Sequence, residues 1–163
     1  MRATLWEQLI RQLNMRWEDL IAAFFQHIQL VCVSMAIAIA VGVPLGVLIT
    51  RVASLRGGVL GTAGVLQTIP SLALLGFMIP LLGIGVPTAV AALFLYSLLP
   101  IIRNTFTGIR DVDKSIIEAA RGMGMTDLQI LIRVQFPLAL SVIMAGIRTA
   151  TVINVGTATL AAF

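Results

Sequence analysis

Apart from its basic residues and one tyrosine, this 163-residue chain has few groups for acid–base or nucleophilic chemistry: seven acids, one histidine and one cysteine. The acids fall in two places, Glu7 to Asp19 and Asp111 to Asp127, and none lies in the long apolar stretches. No paired carboxylates and no nucleophile–base set occur in those stretches, so no catalytic residue is assigned. Cys32 sits alone in an apolar run and His27 alone at the edge of it, which implies no disulfide framework and no metal site. His27 reads as a polar helix-end residue. No GxxxxGK[ST] phosphate loop is present, so nucleotide is not expected to bind to this chain by that route.

The second acidic stretch is the informative one. Between Asp111 and Gln129 two hydroxyl residues each stand three before a Glu or Gln: Ser115 before Glu118, and Thr126 before Gln129. Each spacing predicts a reciprocal capping box at a helix start. A short helix is therefore expected from about Ile116 to Met123, ended by Gly122 and Gly124, one of them left-handed. Ile116, Ala120 and Met123 share one face, with Ala119 beside it. So short a helix is unstable alone and needs a surface to pack on. A second helix is expected to start after Thr126 and to bend near Pro137.

The elements that must hold this loop are apolar. Of all residues 59% are apolar and only 11% charged, against roughly 25% charged in a soluble domain, and the mean hydropathy is +1.03. Four uncharged or nearly uncharged runs follow one another: Ile28 to Thr50, Val59 to Leu82, Val86 to Ile102 and Phe136 to Phe163, the last carrying Arg148. About 20 residues at ~1.5 Å each cross ~30 Å of hydrocarbon, so each run is expected to be a membrane helix. The alternating ten-residue segments of a membrane barrel are absent. The fold class is accordingly all-α and polytopic. The net charge of +4 does not indicate nucleic acid, because the basic residues sit between the apolar runs.

Arg51 and Arg56 lie between runs one and two; Arg103, Arg110, Lys114, Arg121 and Arg133 lie between runs three and four. This weight places both connections in the cytoplasm and the N-terminus outside. Residues 1–19 read as an amphipathic arm rather than a cleaved signal. Trp6, Leu9, Ile10, Leu13, Trp17 and Leu20 share one face, as in a helix lying in the membrane interface. Gly42 and Gly46, with Pro44 between them, form a GxxxG, and Gly57, Gly61 and Gly64 continue the pattern, which predicts close helix packing. Pro70 must break or kink run two, with Thr68 and Ser71 available to satisfy the freed carbonyls. Such a break is a structural kink or a border of a transport pathway. Arg148, well inside run four, should face protein or water; a buried structural role is expected over substrate contact. Tyr96, Phe94 and Phe77 are the aromatic faces on offer to a quaternary ammonium group.

The run Glu118-Ala119-Ala120, three residues, Gly124, nine residues, Val134, one residue, Phe136-Pro137 resembles the signature of binding-protein-dependent ABC importer permeases. In that family the pattern is EAA, three residues, Gly, nine residues, Ile, one residue, Leu-Pro. The segments Gln67 to Gly85 and Leu99 to Ile109 look like the osmoprotectant branch, which serves glycine betaine, carnitine, choline or proline betaine uptake; methionine and other amino-acid permeases share the architecture.

The resemblance implies a type I importer transmembrane domain over residues 20–163, in a bacterial or archaeal cytoplasmic membrane, with a coupling loop at about 111–135. It implies an ATP-binding cassette subunit that carries ATP and magnesium, an extracytoplasmic solute-binding protein, and a second permease copy or homologue. Glu118, Ala119, Ala120, Arg121, Gly122 and Gly124 would form the contact with the ATPase. Glu118 would cap its helix or pair with a basic residue of the partner, the two alanines would let the helix seat closely, Gly124 would permit the turn, and Arg121 would be solvated or face the partner. Pro70, Ser71, Pro137 and Arg148 would be kink or pathway positions. The family core usually has five spans or more. The four counted here, ending in Leu160 to Phe163 within an apolar run, lead to the expectation of C-terminal truncation.

Overall fold

The computed structural model describes residues 5–160, and those residues are helical throughout apart from short turns. Leu5–Met15 (α1) and Trp17–Arg51 (α2) are separated only by a break at Arg16. Ala53–Thr68 (α3) and Ser71–Leu82 (α4) are followed by Val86–Arg110 (α5), Lys114–Gly122 (α6) and Asp127–Ile130 (α7). A π-helical turn, Leu131–Gln135, then leads into Phe136–Leu160 (α8).

Among the described residues, three helices are long and apolar enough to cross a membrane: α2, α5 and the continuous helical stretch Asp127–Leu160. Run two is not one straight helix. α3 and α4 are bent by 103° at Ile69-Pro70, so that together they make a fourth, broken span. The cause is Pro70, which has no N–H to give and whose ring excludes the preceding turn. The expected partners of the freed carbonyls are replaced in part. Thr68 donates to the Val65 carbonyl at 2.7 Å, but it is the Tyr96 hydroxyl of α5 that donates to the Ile69 carbonyl at the break itself. His27, half-buried ten residues inside α2, is not at a helix end, because α2 begins earlier than the apolar run does.

α5 is the centre of the bundle. α2 and α8 pack along it, α3 and α4 lie against its remaining side, and its buried residues line much of its length. The close approaches are made at glycines. A Cβ built on Gly42 would stand 2.9 Å from the Ile101 side chain, one on Gly46 2.6 Å from that of Thr105, and one on Gly146 2.6 Å from Asn104 Cβ and 2.7 Å from the Pro100 carbonyl. In lipid, where apolar burial does not drive helices together, such backbone contact supplies the dispersion energy that does. The GxxxG at Gly42 and Gly46 is thus a packing device. The repeat at Gly57, Gly61 and Gly64 makes no such contact within this chain, where nothing lies within 4 Å of a Cβ built there.

These contacts also fix direction. Gly42 meets Ile101 and Gly46 meets Thr105, so α2 and α5 run parallel; Gly146 meets Asn104 while Gly108 meets Ala139 and Val142, so α8 runs antiparallel to them. The bent pair α3–α4 therefore carries the chain back to the end from which α2 started. There the uncharged turn Gly83-Ile84-Gly85 reverses it into α5, with both glycines at positive φ (79° and 124°). At the middle of α2, Ser34 is wholly buried against the wholly buried Asn154 of α8, Asn154 Nδ2 donating to Ser34 Oγ at 3.3 Å. On α1 and the start of α2 the apolar residues Trp6, Ile10, Leu13, Trp17 and Leu20 are all exposed, as an interfacial helix requires; the side chain of Leu9 lies outside the described residues.

The candidate coupling loop

Residues 111–135 connect the end of α5 to the start of α8, and every part of the loop is locally specified. α6 is entered through Asp113. Its carboxylate accepts from the Ser115 backbone N–H at 2.8 Å, and hydrogen bonds from that amide and from the Ser115 side chain hold the Asp113 carboxyl below its usual range. Ser115 is therefore inside the helix, and the expected capping box between Ser115 and Glu118 does not form. Asp113, two residues upstream, caps the helix instead, and its carboxylate takes the Ser115 amide that Glu118 would have accepted. The helix begins at Lys114 rather than Ile116.

α6 ends in a Schellman motif. The Gly124 N–H donates to the Arg121 carbonyl and the Met125 N–H to the Ala120 carbonyl, with Gly124 at φ +82°. Of the two glycines expected to end the helix, Gly124 is the left-handed one and Gly122 is its last helical residue. Four residues on, the second capping box is formed as expected: Gln129 N–H donates to Thr126 Oγ1 at 3.4 Å and Thr126 N–H to Gln129 Oε1 at 2.9 Å.

The faces of α6 divide differently from the expectation. Ala120 is buried, at 2% exposure, and Ile117 half-buried beside it, so this side is occupied by the chain's own α7 and π-turn. Ile116, Glu118, Ala119, Arg121, Gly122 and Met123 form the outer surface, with Met123 76% exposed and Leu128 of α7 64% exposed nearby in sequence. Glu118, relieved of any capping role, makes no hydrogen bond or ion pair among the described residues. Arg121 is paired, its Nη2 lying 2.9 Å from Asp127 Oδ1, but both side chains are largely exposed and the pair contributes little stability. The outcome is a short, rigidly capped helix that presents two apolar side chains, a free carboxylate and small residues outward.

At the root of the loop the membrane helices are tied together. Arg51 Nη2 donates to Gln135 Oε1 at 2.8 Å, and Phe106 is flanked by the guanidinium groups of Arg56 (4.7 Å) and Arg110 (5.4 Å). The π-turn, in which Phe136 N–H donates to the Leu131 carbonyl, precedes Pro137 and takes the place of the expected simple bend. Pro137 lacks an N–H, and an extra residue in the preceding turn is one way to absorb that loss. Nothing in the sequence reading named Gln135 or Arg51 as functional; a polar residue just before Phe136-Pro137 was the available signal.

The remaining candidates are scattered. Pro70 is exposed and Ser71 half-buried at the break. Arg148 is not buried: it lies on the exposed side of α8, at mid-helix, with no partner among the described residues. Phe77 is 65% exposed, Phe94 is packed into the core and Tyr96 is buried with its hydroxyl committed to Ile69, so these three build no aromatic cage.

Comparison with known proteins places this geometry. The profile of the binding-protein-dependent transport system inner membrane component family matches residues 42–163. The carnitine transport permease OpuCB of Listeria monocytogenes is 49% identical over 145 residues, which cover 89% of this chain and 66% of the relative. The choline transport system permease OpuBB of Bacillus subtilis is 45% identical over 95% of this chain and 71% of its own length. The osmoprotectant import permease OsmW of Salmonella typhimurium is 54% identical over 85% of this chain and 66% of its own. This chain thus spans about two thirds of the length of these curated relatives. Among solved structures, an inward-facing form of the MetNI methionine ABC transporter superposes with a TM-score of 0.79 at 25% identity, over 90% of this chain and 74% of the other.

Proposed function

The chain belongs to the family of binding-protein-dependent transport system inner membrane components, and from that premise we propose that it is the permease subunit of an ATP-driven importer of compatible solutes. The solute class is that of glycine betaine, choline and carnitine, supported by relatives at 45–54% identity whose names carry choline, carnitine or osmoprotectant. The likeness to a methionine transporter, at 25% identity, carries the architecture rather than the solute.

The observation that carries the proposal is the outer surface of α6. A helix of nine residues has no stability of its own, yet this one is fastened at both ends and leaves Met123, Ile116 and the unpaired Glu118 facing outward. That is the surface of an element built to be received by another protein. In this reading α6 seats in a groove of an ATP-binding subunit, which binds ATP and magnesium and performs the hydrolysis. The small Ala119 allows close approach, and Glu118 meets a basic group of the partner. Closure of two ATPase subunits displaces α6, and two permease copies rock between outward-open and inward-open states around a pathway fed by a solute-binding protein.

The ends of α2 and α5 that carry Arg51 and Arg110 then face the cytoplasm, and the N-terminal arm lies outside. In the fully assembled transporter, Glu118→Lys and Gly124→Pro should release the ATPase subunit or separate hydrolysis from uptake. Undiminished ATP-dependent uptake in both variants would remove the coupling role.

A further inference from the structure

A primary amide inside a helix that enters the membrane is costly unless both its groups are bonded. Gln135 is 8% exposed, and both are. Its Oε1 accepts from Arg51 Nη2 at 2.8 Å, and its Nε2 donates to the Ile109 carbonyl at 3.4 Å. Arg51 is the last residue of α2 and Ile109 the last but one of α5. The Ile109 carbonyl is among the four that an α-helix leaves without an internal donor. One side chain therefore joins the ends of three membrane helices, at the point where the loop carrying α6 becomes α8.

The π-turn is what delivers Gln135 to that point. Ile130, Gln135 and Ala139 are all buried. At about 100° per residue, an α-helix would put positions five apart on faces about 140° away from each other. The wider turn over Leu131–Gln135 brings the buried Ile130 and Gln135 to one side. A π-turn is also a joint, and π-turns recur at functional positions. Unpinned, it would absorb an angular displacement of α6 before α8 felt it.

We propose that Gln135 is the positioning residue of energy coupling: by pinning the π-turn to Arg51 and to the Ile109 carbonyl, it makes α2, α5 and α8 move with α6 as one body. The inference rests on the coupling role of α6 given above. It is tested in the assembled transporter in liposomes by measuring subunit association, ATP hydrolysis and solute moved per ATP. Gln135→Leu and Arg51→Gln should each keep the ATPase subunit bound and hydrolysing while solute moved per ATP falls roughly tenfold or more, the scale of losing a hydrogen bond to a charged group. Because the two side chains act as one link, the double variant should be no worse than the more impaired single variant.

Gln135→Glu retains an acceptor for Arg51 and loses the donor to Ile109; it should assemble and give an intermediate ratio, and it serves if Gln135→Leu fails to assemble. A ratio at the unaltered level in the assembled variants, Gln135→Glu included, overturns the role of Gln135 and leaves the α6 reading standing. Failure of the unaltered chain to bind any ATPase subunit overturns that reading itself.

Discussion

Gly122 and Gly124 stand two residues apart at the end of α6, and replacing each by alanine should have opposite effects. Gly124 is at φ +82°, and nothing lies within 4 Å of where its Cβ would be. The whole penalty of Gly124→Ala is therefore backbone strain, about 1–2 kcal/mol for an alanine in the left-handed region. Gly122 is the last helical residue and equally open. There alanine replaces the most flexible residue inside a helix and should stabilise α6 by roughly 0.5–1 kcal/mol. Such increments are small against a whole fold but large against a helix of nine residues.

If α6 must be formed to be received by its partner, the cost passes into affinity. Gly124→Ala should weaken binding of the ATPase subunit about 5- to 30-fold, the population change that 1–2 kcal/mol produces, while Gly122→Ala should leave affinity unchanged or improve it severalfold. Titration of the purified ATPase subunit onto the permease in nanodiscs reads the affinity, and amide exchange over Lys114–Gly122 reads the helix. Equal affinities for the two variants, with exchange altered as described, would refute the claim that a preformed α6 is what the partner receives.

Other expectations follow from the same structure. Gly146→Ala puts a methyl 2.7 Å from the Pro100 carbonyl and 2.6 Å from Asn104 Cβ, so it should lower thermal stability in detergent by about 1–3 kcal/mol; Gly156→Ala, with open space around it, should not lower it. Because the Asp113 carboxyl is held below its usual range by the Ser115 hydrogen bonds, its contribution to the start of α6 is present above about pH 4 and is lost as pH falls through the lowered value; Asp113→Ala should raise amide exchange of the first turn at neutral pH and abolish that acid dependence. Arg148, exposed at mid-helix, must meet water or another protein surface in the assembly. With Cys32 replaced by serine, Arg148→Cys should react with a membrane-impermeant maleimide in at least one state of the cycle, and protection in every state would place that face against protein.

Spans and loop were legible in the sequence to different degrees because they rest on interactions of different range. Membrane helices follow from apolar length alone, and the break at Pro70 from a missing donor, so both could be read from single stretches. The Thr126–Gln129 box and a left-handed glycine at the end of α6 depend on neighbours within a few residues; the box was foreseen, and so was one left-handed residue of Gly122 and Gly124, though not which. Ser115–Glu118 had the same spacing and did not form its box, because Asp113 competes for the same amide. Tertiary contacts decided the rest. That Ala120 faces inward, that Tyr96 completes the Pro70 break and that Arg148 faces outward depend on which helices meet, which periodicity does not encode. The π-turn was invisible for another reason: one extra residue changes neither composition nor length, yet it rotates everything before it, and with it the surface that α6 offers.

The most direct test of the central claim is solute accumulation in proteoliposomes holding this chain with its ATPase subunit, with ATP enclosed on the side of Arg51 and Arg110 and the solute-binding protein on the other. Labelled glycine betaine, choline or carnitine should accumulate only when ATP and binding protein are both supplied, and Glu118→Lys should suppress it. Accumulation driven by an ion gradient without ATP, or unaffected by Glu118→Lys, would contradict the account.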